Sequence, residues 1–180
     1  MYLIQSNVMK ALIVIPFLLL TAVVSAQKNT RDILLDQLKS THNKAVWFVP
    51  VNTAIEGLTP EQANWKDKSG NHSIAQLVTH LIFWDLDQLQ KFNGRKKPET
   101  NINNDETFSP ATQAQWDASV KRIDSVLTAW EQAVAQADEK KLASWYETIA
   151  NINTHNAYHT GQILYVRKLQ GNWNPEKGVK

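Results

Sequence analysis

The chain has 180 residues, 43% of them hydrophobic and 20% charged, a balance that fits one globular domain and excludes disordered, collagen-like and many-domain readings. It contains no cysteine, which removes disulfides, thiolate metal sites, thiol nucleophiles and a lipid-modified cysteine, and leaves five histidines as the soft ligands. A net charge of +2 with scattered lysines gives no basic stripe, so nucleic acid is not an expected partner.

Residues 1–26 read as a cleavable signal peptide. Lys10 precedes the apolar run 11–24, and Val24-Ser25-Ala26 places small residues where signal peptidase requires them. A start at Met9-Lys10 would give this leader a conventional charged n-region. The run is shorter than the ~20 residues needed to cross a bilayer and contains Pro16, so no retained membrane anchor is expected. The domain is then 27–180, exported to the periplasm or secreted, and dependent on its core rather than on crosslinks for stability.

The remainder predicts helices. Over 30–48, Ile33, Leu34, Leu38, Ala45 and Val46 have helical spacing, and Pro50 stops the pattern. Beyond Gly57, Thr59 caps a short turn with Pro60 at its first position. Ser73 and Gln76 form a capping box for a second long helix over 74–92, with Ile74, Leu77, Leu81, Phe83, Trp84 and Leu89 as its apolar residues, ended by Gly94. The polar stretch 93–108 is long enough to cross the end of a bundle.

Ser109-Pro110 predicts the start of a third helix, which carries Trp116, Val120, Ile123, Val126, Leu127, Trp130 and Val134 as far as Ala137. A turn over 138–145 then leads to a fourth helix over 148–170, with Ile149, Ile152, Ile163, Val166 and Leu169 on its apolar side and Gly171 as its stop. No strand pattern competes. The expected fold class is all-α, a four-helix bundle with a long crossover connection, of a size that can pair as a homodimer. Trp47, Trp84, Trp116, Trp130 and Trp145 are expected mainly in the core, Asp87 is expected in solvent, and His42 and His72 are expected to be structural or superficial.

The chemistry concentrates in the fourth helix, where 151–162 places polar groups between strongly apolar ends. His155 and His159 are i and i+4, with Cβ atoms about 6 Å apart on one helical face, so both imidazoles can reach one ion at ~2.1 Å. An i, i+4 pair also occurs as surface decoration. His80, flanked by Leu77, Leu81, Phe83 and Trp84, must face another helix or be satisfied by a hydrogen bond, and is the available third ligand. Neutral imidazoles suit zinc, nickel, copper or iron, and three of them leave positions open for water or substrate. Asn156, Tyr158 and Gln162 are placed to orient an imidazole or touch substrate, or equally to satisfy buried polar atoms. Trp84, four residues beyond His80, is placed to wall the pocket.

The helix Leu77-Val78-Thr79-His80-Leu81-Ile82-Phe83-Trp84, together with His155-x-x-x-His159-Thr160-Gly161-Gln162, resembles the DinB-like family. The resemblance covers essentially all of 27–180 and implies a four-helix fold with a metal held by one histidine of the second helix and two of the fourth, matching His80, His155 and His159. It further implies kinship with thiol-dependent transferases and isomerases. Zinc or nickel is the expected divalent ion, and a small molecule, with a low-molecular-weight thiol as cosubstrate, the expected partner. A zincin-type protease is disfavoured because the residue after the first histidine is Asn156 and not a general-base glutamate. Metal-dependent hydrolysis of a small molecule and non-catalytic metal binding in the periplasm are the alternative readings, beside a purely structural bundle.

Overall fold

A computed structural model describes residues 29–96 and 102–178. The expected signal peptide lies outside the described residues, as does part of the 93–108 connection. Every regular element among them is helical: α1 Thr30–His42, α2 Val51–Ile55, α3 Pro60–Asn64, α4 Ile74–Phe92, α5 Gln113–Gln136 and α6 Glu139–Leu169, with 3-10 turns at Asn104–Thr107 and Pro175–Lys177. None of these helices is long and apolar enough to cross a membrane.

Local chemistry sets most of the boundaries. Ser73 accepts from the Gln76 backbone while the Gln76 side chain returns to the Ser73 N–H, satisfying two otherwise unpaired donors at the start of α4. Thr59 and Gln62 do the same for α3, with Pro60 at its first position. Gly94 and Gly171 follow α4 and α6 with φ of 84° and 69°, the left-handed region that only glycine enters freely.

Four expectations about the helices are corrected. The first helix ends at His42 rather than Phe48, because the Lys44 N–H turns back to the Lys39 carbonyl and winds the chain off the axis. Val46 and Phe48 are consequently exposed, and Trp47, expected in the core, is fully so. The third helix starts at Gln113, capped by Thr112 with Gln115, instead of at Ser109-Pro110. That stretch is stitched elsewhere: the Ser109 N–H donates to Thr79, and the Asn64 amide bonds both the N–H and the carbonyl of Ala111. The turn expected over 138–145 is the first part of α6, which Asp138 caps through the Lys141 N–H and which buries Leu142 two turns before Ile149. Finally, Ile33 and Leu169, expected on apolar faces, are about half exposed.

The four long helices pack in a ring of contacts in which α4 and α1 each touch both α5 and α6. One apolar cluster joins α2 and α3 to Leu77, Leu81, Trp116, Ile123 and Ile163; the other joins α1 to Leu89, Phe92, Trp130, Leu142 and Ile152. Trp116 and Trp130 are core residues, as expected, each with its indole N–H on a backbone carbonyl, of Leu58 and Asp85 respectively. Trp84 and Trp145 are half-buried.

Between the two clusters α6 buries a polar run. From Ile152 to Ile163 its buried residues are Asn153, Asn156, His159 and Thr160, and α4 faces it with His80 and Asp85. Asp87 is buried and paired with Lys91 at 2.8 Å, not solvated, because the i, i+4 ammonium lets a carboxylate leave bulk water. His42 is structural: its Nδ1 meets Glu131 at 2.7 Å and its Nε2 meets Asp124 at 2.9 Å, tying α1 to α5.

Candidate metal centre

Three imidazoles converge where α4 faces α6. The Nε2 of His155 lies 3.1 Å from that of His80 and 3.0 Å from that of His159, and one nitrogen from each falls within 4.8 Å of the others. Ligands at ~2.1 Å from a shared ion stand about 3.0–3.4 Å apart for angles between octahedral and tetrahedral. The two spacings about His155 therefore match neighbouring ligands of one coordination sphere.

The opposite ring nitrogens fix which way the lone pairs face. His159 Nδ1 donates to Gln162 Oε1 at 2.6 Å, leaving Nε2 unprotonated on the cluster side. Thr107 gives its only hydroxyl proton to the Asn104 carbonyl at 2.6 Å, so the same oxygen accepts from His80 Nδ1, also at 2.6 Å. Two bare nitrogens thus aim at the third; a proton on His155 Nε2 can bridge to one of them, and with that proton on Nδ1 all three lone pairs face the space a cation would fill. Phe108 lies flat on the His80 ring, centroids 4.0 Å apart, and His72 stacks on its other side at 3.8 Å.

Electrostatics support the same state. Burial, reinforced by the neighbouring imidazoles, pushes His80 down to about 3 and His155 to about 4, while His159 is lowered by burial against the opposing effect of its hydrogen bond to Gln162. All three rings are neutral ligands at physiological pH. Beside them opens a cleft of about 560 Å³, walled by Trp84, Phe108 and Ile152 and rimmed by Gln88, Asn104 and Asn151. Trp84 is anchored there by its indole N–H on Asn104 Oδ1 at 3.2 Å.

A sequence profile of the DinB superfamily matches residues 51–163, a span that holds all three of these histidines. The chain belongs to the DinB superfamily. Neither curated proteins nor solved structures gave a match. The donor set of this DinB-superfamily chain fits a divalent ion on its own chemistry: three neutral imidazoles clustered within 4.8 Å, His155 at ligand–ligand spacing from both others, and two with their outer nitrogens engaged.

The other site candidates divide. Gln162 touches His159 directly, and Trp84 walls the cleft. Asn156 is fully buried and bonds Asp85, not an imidazole. Tyr158 is largely exposed, its ring edge-on to His159 on the outer side of α6. Sequence reasoning missed Thr107 and Phe108, which the 3-10 turn carries across 27 and 28 positions to His80; no local pattern signals such a contact. Replacing Gln162 with alanine frees the His159 tautomer and is expected to weaken metal binding roughly 10–100-fold, with Gln162→Glu preserving it. Titration against a chelating competitor measures both.

Proposed function

We propose that this protein is an exported, divalent-metal-dependent enzyme acting on a small molecule, with thiol transfer as its reaction class. The observation that carries the reading is the convergence of three neutral imidazoles on the wall of an open cleft, with no fourth ligand side chain in the cluster among the described residues. Zinc or nickel suits such a donor set. An ion held by uncharged ligands keeps its full charge and supplies Lewis acidity, which brings a thiol or a water toward its deprotonated form near neutral pH.

The chain's own residues then have separate tasks. Thr107 and Gln162 hold the outer protons of His80 and His159 and so keep the inner nitrogens bare. Trp84, Phe108 and Ile152 offer an apolar wall to the body of a small substrate. With no cysteine in the chain, the reacting sulfur belongs to a cosubstrate: its proton passes to solvent, its sulfur forms a bond to an electrophilic carbon, and the leaving group departs from that carbon with the electron pair of the broken bond. The four long helices we take as a four-helix bundle with a crossover between α4 and α5. The leader-like composition of 1–26 supports a periplasmic or secreted location without a retained anchor, and association, if any, as a homodimer; nothing in the charge supports nucleic acid as partner.

The test is elemental analysis of the purified protein followed by a conjugation assay between a small thiol and an alkyl or aryl electrophile, with and without the ion. About one equivalent of zinc or nickel and metal-dependent loss of thiol are expected. Turnover that needs no thiol would replace transfer by hydrolysis, and metal without turnover in either assay would leave a metal-binding protein.

A further inference from the structure

The outer face of α6 has a composition that the fold of a single chain does not require. From Thr148 to Val166 the helix contains no Asp, Glu, Lys or Arg. Its exposed residues over that stretch are Asn151, Thr154, Tyr158, Gly161 and Tyr165, with Tyr158 64% and Tyr165 60% exposed. The solvent face of α5, by contrast, carries Asp117, Lys121, Arg122 and Asp124. Charges are the usual covering of a helix that faces water, and their depletion together with tyrosine enrichment is the composition of the centre of a protein–protein contact.

Gly161 stands at the middle of this face. It lies inside α6, is exposed, and a Cβ placed there would meet nothing within 4 Å. Neither backbone geometry nor packing within the chain calls for glycine at that position, although glycine is among the weakest helix formers. What a missing side chain supplies on an exposed helix is room for a second backbone to come close. Tyr158 and Tyr165 are i and i+7, two turns apart on one side of the helix, and they flank Gly161 above and below.

We propose that this face pairs with the same face of a second copy of the chain, the two α6 helices antiparallel about a two-fold axis between Gly161 and Gln162. That axis sets Tyr158 against the partner's Tyr165 at both ends and lets the backbones approach at Gly161 between them. Charge selects the occupant. A two-fold contact lays a patch on itself, so a charged patch repels its copy, whereas an uncharged one is its own complement and offers nothing to an acidic or basic partner. From Asn151 to Leu169 the face is about 27 Å long, and at about one helix diameter wide it falls short of the roughly 800 Å² per partner of a standard interface, so the pair exchanges with monomer. The ring of Tyr158 is edge-on to His159 with centroids 5.0 Å apart, so the contact backs the imidazole cluster from the outer side of α6. The proposal rests on the homodimer reading above and gives it a surface; it depends on neither metal nor turnover.

Sedimentation velocity on the full chain between about 1 μM and 1 mM tests it, a range in which an interface of this size is expected to pass from monomer to dimer. Tyr165→Glu places a carboxylate against a tyrosine, and Gly161→Leu fills the point of close approach; each is expected to weaken the dimer at least about tenfold. Both sites are exposed, so the fold is retained, and Gly161→Leu should melt at or above the wild-type temperature in dilute solution because leucine favours the helix. Mixing Tyr165→Glu with Tyr158→Lys should restore association, since the antiparallel register sets the new carboxylate against the new ammonium. Wild type that stays monomeric at about 1 mM overturns this surface and the homodimer reading together. A dimer that neither Tyr165→Glu nor Gly161→Leu weakens overturns the surface alone, and no recovery on mixing overturns the antiparallel register. Failure of the metal reading appears elsewhere, as absent zinc or nickel.

Discussion

Replacing His155 with alanine is expected to abolish stoichiometric metal binding while leaving the helical content intact. His155 is the imidazole shared by both short contacts, 3.1 Å to His80 and 3.0 Å to His159, so its loss removes a ligand and separates the other two. The affinity loss should exceed the roughly 10–100-fold that removal of an outer partner costs. The fold survives because the side chain is half-exposed and no hydrogen bond to another structural element depends on it beyond the cluster itself. Elemental analysis together with circular dichroism checks both halves, and unchanged metal content in both His155→Ala and His159→Ala would sink the assignment.

The depressed basicity of these rings gives the same site a pH signature. Near pH 6, three ordinary imidazoles of pKa about 6.5 would carry roughly two protons for an incoming ion to displace. Here burial holds His80 near 3 and His155 near 4, and lowers His159, so few protons are bound in the folded state at that pH. Calorimetry in two buffers of different ionisation enthalpy should therefore report little proton release at pH 6. Release approaching two protons would mean that the rings titrate normally and the cluster is solvated. The folding consequence has a definite sign: the unfolded chain binds more protons once the pH drops below about 6.5, so the metal-free protein loses stability on acidification from there.

Trp130→Ala is the substitution expected to cost the most stability, roughly 3–5 kcal/mol for a large aromatic removed from a closed core. Trp130 is fully buried in the cluster that joins α1, α4, α5 and α6, packs against Phe92 with ring centroids 5.3 Å apart, and donates its indole N–H to the Asp85 carbonyl at 3.0 Å. The alanine variant leaves a cavity and removes a link from α5 to the turn of α4 that bears Asp85. Trp130→Phe keeps most of the ring but not the donor, and should cost about 1–2 kcal/mol. Urea unfolding separates the two; a Trp130→Ala loss below about 1 kcal/mol would show that this part of the core collapses around the gap.

What could be read without the structure was local. The cap at Thr59 and the capping box at Ser73 act within three residues, and glycine stops at 94 and 171 answer to the backbone alone, so those boundaries agree with the helices observed. The pairing of His155 with His159 is likewise an i, i+4 relation on one helix, legible from spacing, whereas His80 was legible as a candidate from its apolar neighbours and was joined to them as a ligand by family resemblance. Where neighbouring segments compete for the same backbone groups, local signals misled. Ser109-Pro110 looks like a helix start, yet Thr79 and Asn64 claim its backbone from other elements, and the apolar Val46, Trp47 and Phe48 extend a helical pattern that ends at His42.

The amino-acid sequence alone determined that this is an all-helical chain of the DinB superfamily with a histidine pair on its last long helix, because helical periodicity, caps and motif spacing are properties of adjacent residues. The tertiary structure decided which side chains those histidines meet. Thr107 and Phe108 come to His80 through a 3-10 turn, and Asp85 meets Asn156 across 71 positions. Burial, and with it the neutrality of the imidazoles and the protonation of Asp85, exists only once α4 and α6 exclude water from the space between them.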